Sequence, residues 1–142
     1  MSDDRVVESP APANAPRWRR VVRVVLRVLL AHFFVAVGVL HFVIPGTFAQ
    51  VVPPYLPAPL VLVYISGYFE ILGGCCIMIP AVRQAAGWGL IALLIAVFPA
   101  NLHMALNDVP VDGRTLSPLV LWLRLPLQLV FGVWVWWCAR DD

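Results

Sequence analysis

Four long apolar runs, each cut off from the next by a segment that breaks a helix, constrain this chain more than any other feature. The runs cover residues 24–44, 59–79, 85–106 and 118–138. Each is close to the roughly 20 residues that carry an α-helix across the hydrocarbon core of a bilayer. Backbone polar groups find no water in lipid, so runs of this kind must satisfy themselves as helices. Strands of a membrane barrel are shorter and alternate apolar with polar residues, which these runs do not. The connections are short, so neighbouring helices run antiparallel. The predicted fold class is all-α: an integral membrane up-down four-helix bundle over residues 23–140, preceded by a disordered basic cytoplasmic tail over 1–22.

Composition agrees. The chain is 61% hydrophobic and 13% charged, against about 45–50% apolar and 25% charged in an ordinary soluble domain. A water-soluble fold this apolar would have too little polar surface to stay dispersed. The breaks between runs carry their own signals. Residues 45–58 hold Pro45, Pro53, Pro54 and Pro57 and no charge, so they are expected to be a loop lying against the headgroups. Pro59 suits a first helical turn and Pro80 a stop. Asp108, Pro110, Asp112, Gly113 and Arg114 form a turn-rich loop. The first run is too long for a secretory signal h-region of about 7–15 residues, although Thr47-Phe48-Ala49 offers a poor cleavage site.

Charge placement sets the orientation. All ten basic residues are arginine. Arg5, Arg17, Arg19, Arg20, Arg23 and Arg27 precede or open the first run, which marks a topology signal rather than a nucleic-acid site. With the N-terminus inside, Arg83 and Arg140 join this cluster, and the outer side keeps only Arg114 beside two aspartates. The bias predicts both termini in the cytoplasm. Trp18, Trp88, Trp136 and Trp137 then mark the inner interface, and Tyr55, Tyr64 and Trp122 the outer one.

Ionisable and amide side chains inside the runs are the functional candidates, since each costs about 2.5–3.5 kcal/mol to insert when charged. By helical rise, Glu70 lies roughly 16 Å below the outer end of its helix, near the midplane. Gln128 lies at a similar depth, and Arg124, Asn101, His103 and His41 lie roughly 5–9 Å below the outer face. Ser66, Gly67, Glu70, Gly73 and Gly74 share one stripe, whose small residues let helices approach closely. Glu70 is therefore expected to point into the bundle. Arg124 and Gln128 share a face, and Pro99 frees the carbonyl of Ile95 near Asn101. Each of these residues also has a structural reading. Glu70 can be an internal ion pair that fixes packing, Arg124 can snorkel or pair with Glu70, and the histidines and Asn101 can be satisfied interhelical donors. His32 lies on the face opposite His41. Cys75, Cys76 and Cys138 fall within apolar runs with no CxxC and no zinc spacing, and behave as small hydrophobes. No haem, flavin, nucleotide or metal motif is visible.

Three stretches carry a family resemblance. They are Gly38-Val39-Leu40-His41-Phe42 with Pro45 and Phe48; Val52-Pro53-Pro54-Tyr55-Leu56-Pro57-Ala58-Pro59 leading to Ser66-Gly67 and Glu70-Ile71-Leu72-Gly73-Gly74; and Phe98-Pro99-Ala100-Asn101-Leu102-His103-Met104-Ala105. Together they resemble the DoxX-like branch of the DoxX/MauE family of small bacterial membrane proteins. The resemblance implies a four-helix membrane bundle in a loosely redox-associated group, whose distant relatives are tied to quinone-linked sulfur oxidation and amine dehydrogenase maturation. The motif residues it matches are His41, Glu70 and Asn101. This chain departs from thiol exchange in having no CxxC.

The expected function is a redox-associated accessory subunit partnering another membrane or redox protein. An outer-half pocket around Glu70, Arg124, Asn101 and His41 is expected to take a small ligand, with a quinone open as one such ligand. Glu70 would move a proton and Arg124 would hold an oxyanion. The alternatives are a small proton-coupled carrier, or a structural subunit whose polar cluster only fixes packing.

Overall fold

The computed structural model describes residues 17–140. Proline placement explains most of its element boundaries. Helix α1 spans Arg17–Val43 and stops where Pro45 begins the five-residue helix α2, Pro45–Ala49. Helix α3 spans Pro59–Cys76, a 3-10 turn covers Pro80–Val82, and α4 follows over Arg83–Asn107. Helix α5 spans Pro118–Ala139. Pro45, Pro59, Pro80 and Pro118 each sit in a first turn, where the missing N–H costs nothing and the fixed φ is already helical.

The four long helices are each long and apolar enough to cross a membrane, and no strand occurs among the described residues. Three boundaries differ from the apolar runs. Residues 17–22, placed by sequence in the disordered tail, are the first turns of α1, because a helix does not stop where its hydrophobicity does. The rest of that expected tail, residues 1–16, lies outside the described residues. Helix α3 ends at Cys76 rather than 79, since Pro80 forces Ile79 into an extended conformation (φ −93°, ψ 114°). Residues 45–58 are not wholly a loop, because Pro45 starts α2 instead of preventing a helix.

Helix α1 packs along α3, α3 on α4, and α4 along α5, while α1 and α5 touch narrowly. Contacts run in opposite directions along each main pair. Gly74 meets Ala31 and Phe34 where Gly67 meets Gly38 and His41, and Gly87 meets Ala139 where Met104 meets Arg124. One end of the molecule therefore gathers the start of α1, the end of α3, the start of α4 and the end of α5. Its core is Leu30, Ala31, Phe34, Ile77, Leu90, Val135 and Cys138. A smaller core at the opposite end joins Met104, Ala105 and Leu121 to Val51, Val109, Val111 and Leu125. The outer surface is apolar: Leu119 is 75% exposed, Leu129 70% and Ile95 68%. An apolar surface this continuous is not one that water stabilises.

The α1–α3 interface is close enough to be limited by backbone. A Cβ on Gly67 would lie 2.6 Å from His41 Cβ and 2.9 Å from the Gly38 carbonyl oxygen. A Cβ on Gly38 would lie 2.8 Å from the Gly67 carbonyl oxygen. No side chain fits at either place, so the two glycines set the helix separation, as small residues do in membrane helix pairs. At the same end as α2, the chain between α4 and α5 turns tightly. Val111 and Arg114 exchange backbone hydrogen bonds of 2.9 and 3.0 Å around Asp112 (φ 51°) and Gly113 (φ 76°). Positive φ at both central residues is what an Asp-Gly hairpin turn provides.

Candidate functional site

The glycine contact between α1 and α3 brings His41 and Glu70 together. Buried residues on α1 fall at Arg27, Leu30, Ala31, Phe34, Gly38 and His41, one stripe at helical spacing. The matching stripe on α3 holds Gly67, Glu70, Gly73 and Gly74. His41 is 8% exposed and Glu70 9%. The expectation that Glu70 points into the bundle agrees with this burial.

His41 Nδ1 lies 2.9 Å from the Val37 carbonyl oxygen and 3.1 Å from Glu70 Oε2. Two acceptors around one ring nitrogen place the proton on Nδ1. That N–H is directed along the helix to Val37, so Glu70 Oε2 has charge proximity but no well-angled hydrogen bond and is a buried, unsatisfied oxygen. No hydrogen bond among the described residues engages the other ring nitrogen, Nε2. Phe48 of α2 stacks on the imidazole at 4.0 Å between centroids and 20° between planes. Helix α2 is held in place by the Asp112 turn. Thr47 Oγ1 donates to Asp112 Oδ2 at 3.0 Å, Gln50 Nε2 donates to Asp112 Oδ1 at 3.0 Å, and the Asp112 N–H donates to Gln50 Oε1 at 2.9 Å. The pair is therefore covered on one side by a short helix fastened through exposed polar bonds.

A second polar pair lies between α4 and α5. Asn101 Nδ2 donates to Gln128 Oε1 at 2.9 Å, and Gln128 Nε2 donates to the Leu94 carbonyl. Gln128 is buried and Asn101 half-buried. The carbonyl in use is that of Leu94, not the Ile95 carbonyl that Pro99 was expected to free for Asn101. Arg124 is exposed and its Nη1 donates to Met104 Sδ at 3.3 Å. His103 Nδ1 lies 3.0 Å from Asn107 Nδ2, which also donates to the His103 carbonyl at 2.9 Å. His32 is exposed, with Nδ1 2.8 Å from the Val28 carbonyl.

The six candidate side chains thus form separate groups. His41 meets Glu70, Asn101 meets Gln128, Arg124 meets Met104, and His103 meets Asn107. Depth left Arg124 either to snorkel to the outer face or to pair with Glu70. They do not pair, because Glu70 faces α1 whereas Arg124 sits on α5, which packs on α4. A pocket built jointly by Glu70, Arg124, Asn101 and His41 is not assembled. Two apolar grooves are open on the surface, one lined by Gly46, Gln50 and Pro59 with their neighbours, the other by residues of α1 and α5. Neither is lined by any of the six. The six side chains do not converge on one space from which several donors could reach the carbonyls of a quinone, so these residues do not fit a multipoint quinone site, and no step through a quinone follows from them.

Sequence reasoning missed two groups. Arg27 is buried and its Nε donates to the Cys138 carbonyl at 3.0 Å, tying the start of α1 to the end of α5. It was counted only as topology charge, yet it falls on the same stripe as Leu30, Phe34 and His41. Phe48 belongs to a quoted motif, but nothing in the sequence showed that Pro45 would start a helix and turn its ring onto His41. All three cysteines are free, with Cys75 exposed, Cys76 half-buried and Cys138 buried. No group of metal-ligating side chains occurs among the described residues.

The fold and site define a class: an all-helical chain with four helices long and apolar enough to cross a membrane and a buried imidazole–carboxylate pair between two closely packed helices. The chain belongs to the family described as a domain of unknown function (DUF8561), whose model matches residues 30–139. The match takes in both polar pairs and leaves out the arginines before residue 30. It is not to a DoxX model, so that resemblance rests on its three stretches alone. No curated protein and no solved structure matches the chain.

Proposed function

We propose that this is a bacterial plasma-membrane protein, an up-down four-helix bundle with both termini cytoplasmic, whose His41–Glu70 pair exchanges a proton. It serves as a DoxX-like, redox-associated accessory subunit to another membrane protein. Four apolar helices support the membrane reading, and the antiparallel contacts of α1 with α3 and of α4 with α5 support the bundle. The end that gathers the start of α1 also holds Arg140 and Arg83, which supports placing that end in the cytoplasm.

One observation carries the proton role. Glu70 Oε2 is buried beside an imidazole without a well-angled hydrogen bond. A carboxylate oxygen buried beside an imidazole with no donor of its own has room to take a proton, and such sites are where proton chemistry is found. Infrared difference spectroscopy of the purified protein in detergent tests this. A carboxyl band should appear and disappear with pH, shift in His41→Gln, and vanish in Glu70→Gln while the helical amide signal stays. A wild-type protein with no pH-dependent carboxyl band would refute the reading.

The purely structural reading is favoured by one observation of its own, the mutual satisfaction of Asn101 and Gln128. It predicts that replacing His41 and Glu70 together with leucine leaves the protein's partner association and cellular phenotype unchanged.

A further inference from the structure

A groove runs between α1 and α5, the two long helices that touch only narrowly. Leu26 of α1 forms one wall, and Leu129, Val133 and Trp137 of α5 are among those forming the other. Leu129 is 70% exposed and Val133 64%. From Leu129 to Trp137 the helix rises roughly 12 Å, enough to seat a large part of one acyl chain.

The Trp137 end of this groove is basic. The Arg23 guanidinium lies over the Trp137 ring, 5.0 Å from its centroid. Arg19 and Arg20 are four and three residues earlier on α1, on neighbouring positions of the helix surface, and both are exposed. An apolar channel with Arg23 at its mouth, and with Arg19 (whose guanidinium lies over the Trp18 ring) and Arg20 one turn further along α1, matches a molecule with one long hydrocarbon arm and an anionic head. Arginine suits phosphate because its planar fork donates two parallel hydrogen bonds.

We propose that the groove between α1 and α5 is a binding site for an anionic phospholipid, with an acyl chain along Leu26, Leu129, Val133 and Trp137 and the phosphate against Arg19, Arg20 and Arg23. The proposal rests on the membrane reading above. A second copy of the chain is a poorer occupant. A two-fold contact along this face would bring the arginines of both copies together, and like charges at that distance repel. A free phosphate would use the head of the site and leave the groove uncovered.

The test is native mass spectrometry of the full chain released from detergent micelles, titrated separately with phosphatidylglycerol and phosphatidylcholine. Phosphatidylglycerol should be retained in preference, as a single molecule per chain. Arg19→Gln with Arg20→Gln should weaken its binding by about fivefold per arginine removed, with phosphatidylcholine binding unaltered. Val133→Trp fills the groove from an exposed position and should lower phosphatidylglycerol retention with all arginines present. Equal retention of the two lipids, retention untouched by Val133→Trp, or a stable dimer in place of a lipid-bound monomer would each overturn the site. Alkaline extraction of membranes separates this failure from that of the membrane reading. A chain that stays embedded but shows no lipid preference loses only the groove proposal, whereas a chain released to the aqueous phase refutes the membrane placement itself.

Discussion

The interfaces α1–α3 and α4–α5 each bury one polar pair, and they treat it differently. Between α4 and α5 the pair is two neutral amides, Asn101 and Gln128, each engaged in good hydrogen bonds that reach the Leu94 carbonyl. Between α1 and α3 the pair is ionisable, His41 with Glu70, and one carboxylate oxygen is left without a well-angled donor. The first arrangement has nothing left to exchange and works as an interhelical fastener. The second leaves a buried carboxylate oxygen with no donor of its own. The helices also differ in how they approach. Gly38 and Gly67 bring α1 and α3 to backbone contact, so the ionisable pair sits where the structure can least relax.

The contrast breaks most easily at His41. Replacing it by leucine leaves Glu70 buried without its partner, and removing one member of a buried ion pair costs about 3–5 kcal/mol. Unfolding in mixed micelles with rising dodecyl sulfate should show that loss for His41→Leu and recovery of most of it in His41→Leu with Glu70→Leu. A single variant as stable as wild type would mean that the pair carries no charge in the folded protein.

Next in size is the glycine contact. Gly67→Ala should destabilise by about 1–3 kcal/mol, as overpacking does where neighbours cannot move, because the atoms met are the Gly38 carbonyl and the His41 Cβ. Gly132→Ala is the control, since a Cβ there meets nothing within 4 Å. Equal unfolding curves for the two variants would show that α1 and α3 are not held at backbone distance.

These two sites differ in how far they could be read from sequence. The stripe Gly67, Glu70, Gly73 and Gly74 was legible because helical periodicity puts those residues on one face, and their burial follows. Depth was legible too, since rise per residue is fixed. What sequence does not encode locally is which helix faces which. Arg124 shares a level with the candidates but sits on α5, and only the packing order shows that His41 rather than Arg124 answers Glu70. Helix α2 was missed for a different reason. Pro45 was read as a barrier, although proline blocks a helix interior and favours a first turn. Arg27 was hidden by its neighbours, as five other arginines near it made one charge signal out of residues with different fates.

A smaller effect is expected in the amide pair. Asn101→Leu removes one interhelical hydrogen bond, which membrane double-mutant cycles place near 0.6 kcal/mol and at most about 1.7. Asn101→Leu with Gln128→Leu should lie within a few tenths of a kcal/mol of the single variant, because no charge is stranded. A loss as large as that of His41→Leu would erase the distinction between the two interfaces and assign Asn101 more than fastening.

The smallest change in stability, and the sharpest local one, is expected at Asp112. Its carboxylate accepts from Thr47 and Gln50 of the segment that carries Phe48 onto His41. Both bonds are exposed, so Asp112→Gly should cost about 1 kcal/mol or less. Glycine avoids adding strain at a residue whose φ is 51°. The consequence is confined to one interface. Freed of its fastening, α2 should open more often, and amide hydrogen exchange should quicken over residues 46–50, where local opening is cheapest. Modification of His41 by diethyl pyrocarbonate should rise with it, because the Phe48 ring covers one face of the imidazole. Exchange around Asn101 and Gln128 should stay as in wild type, since α2 packs mainly on α3 and α1. If exchange at residues 46–50 does not change, the Asp112 bonds do not hold α2 down. If it rises equally in α4 and α5, the loop fastens the whole end of the molecule and the cover over His41 is not a separate element.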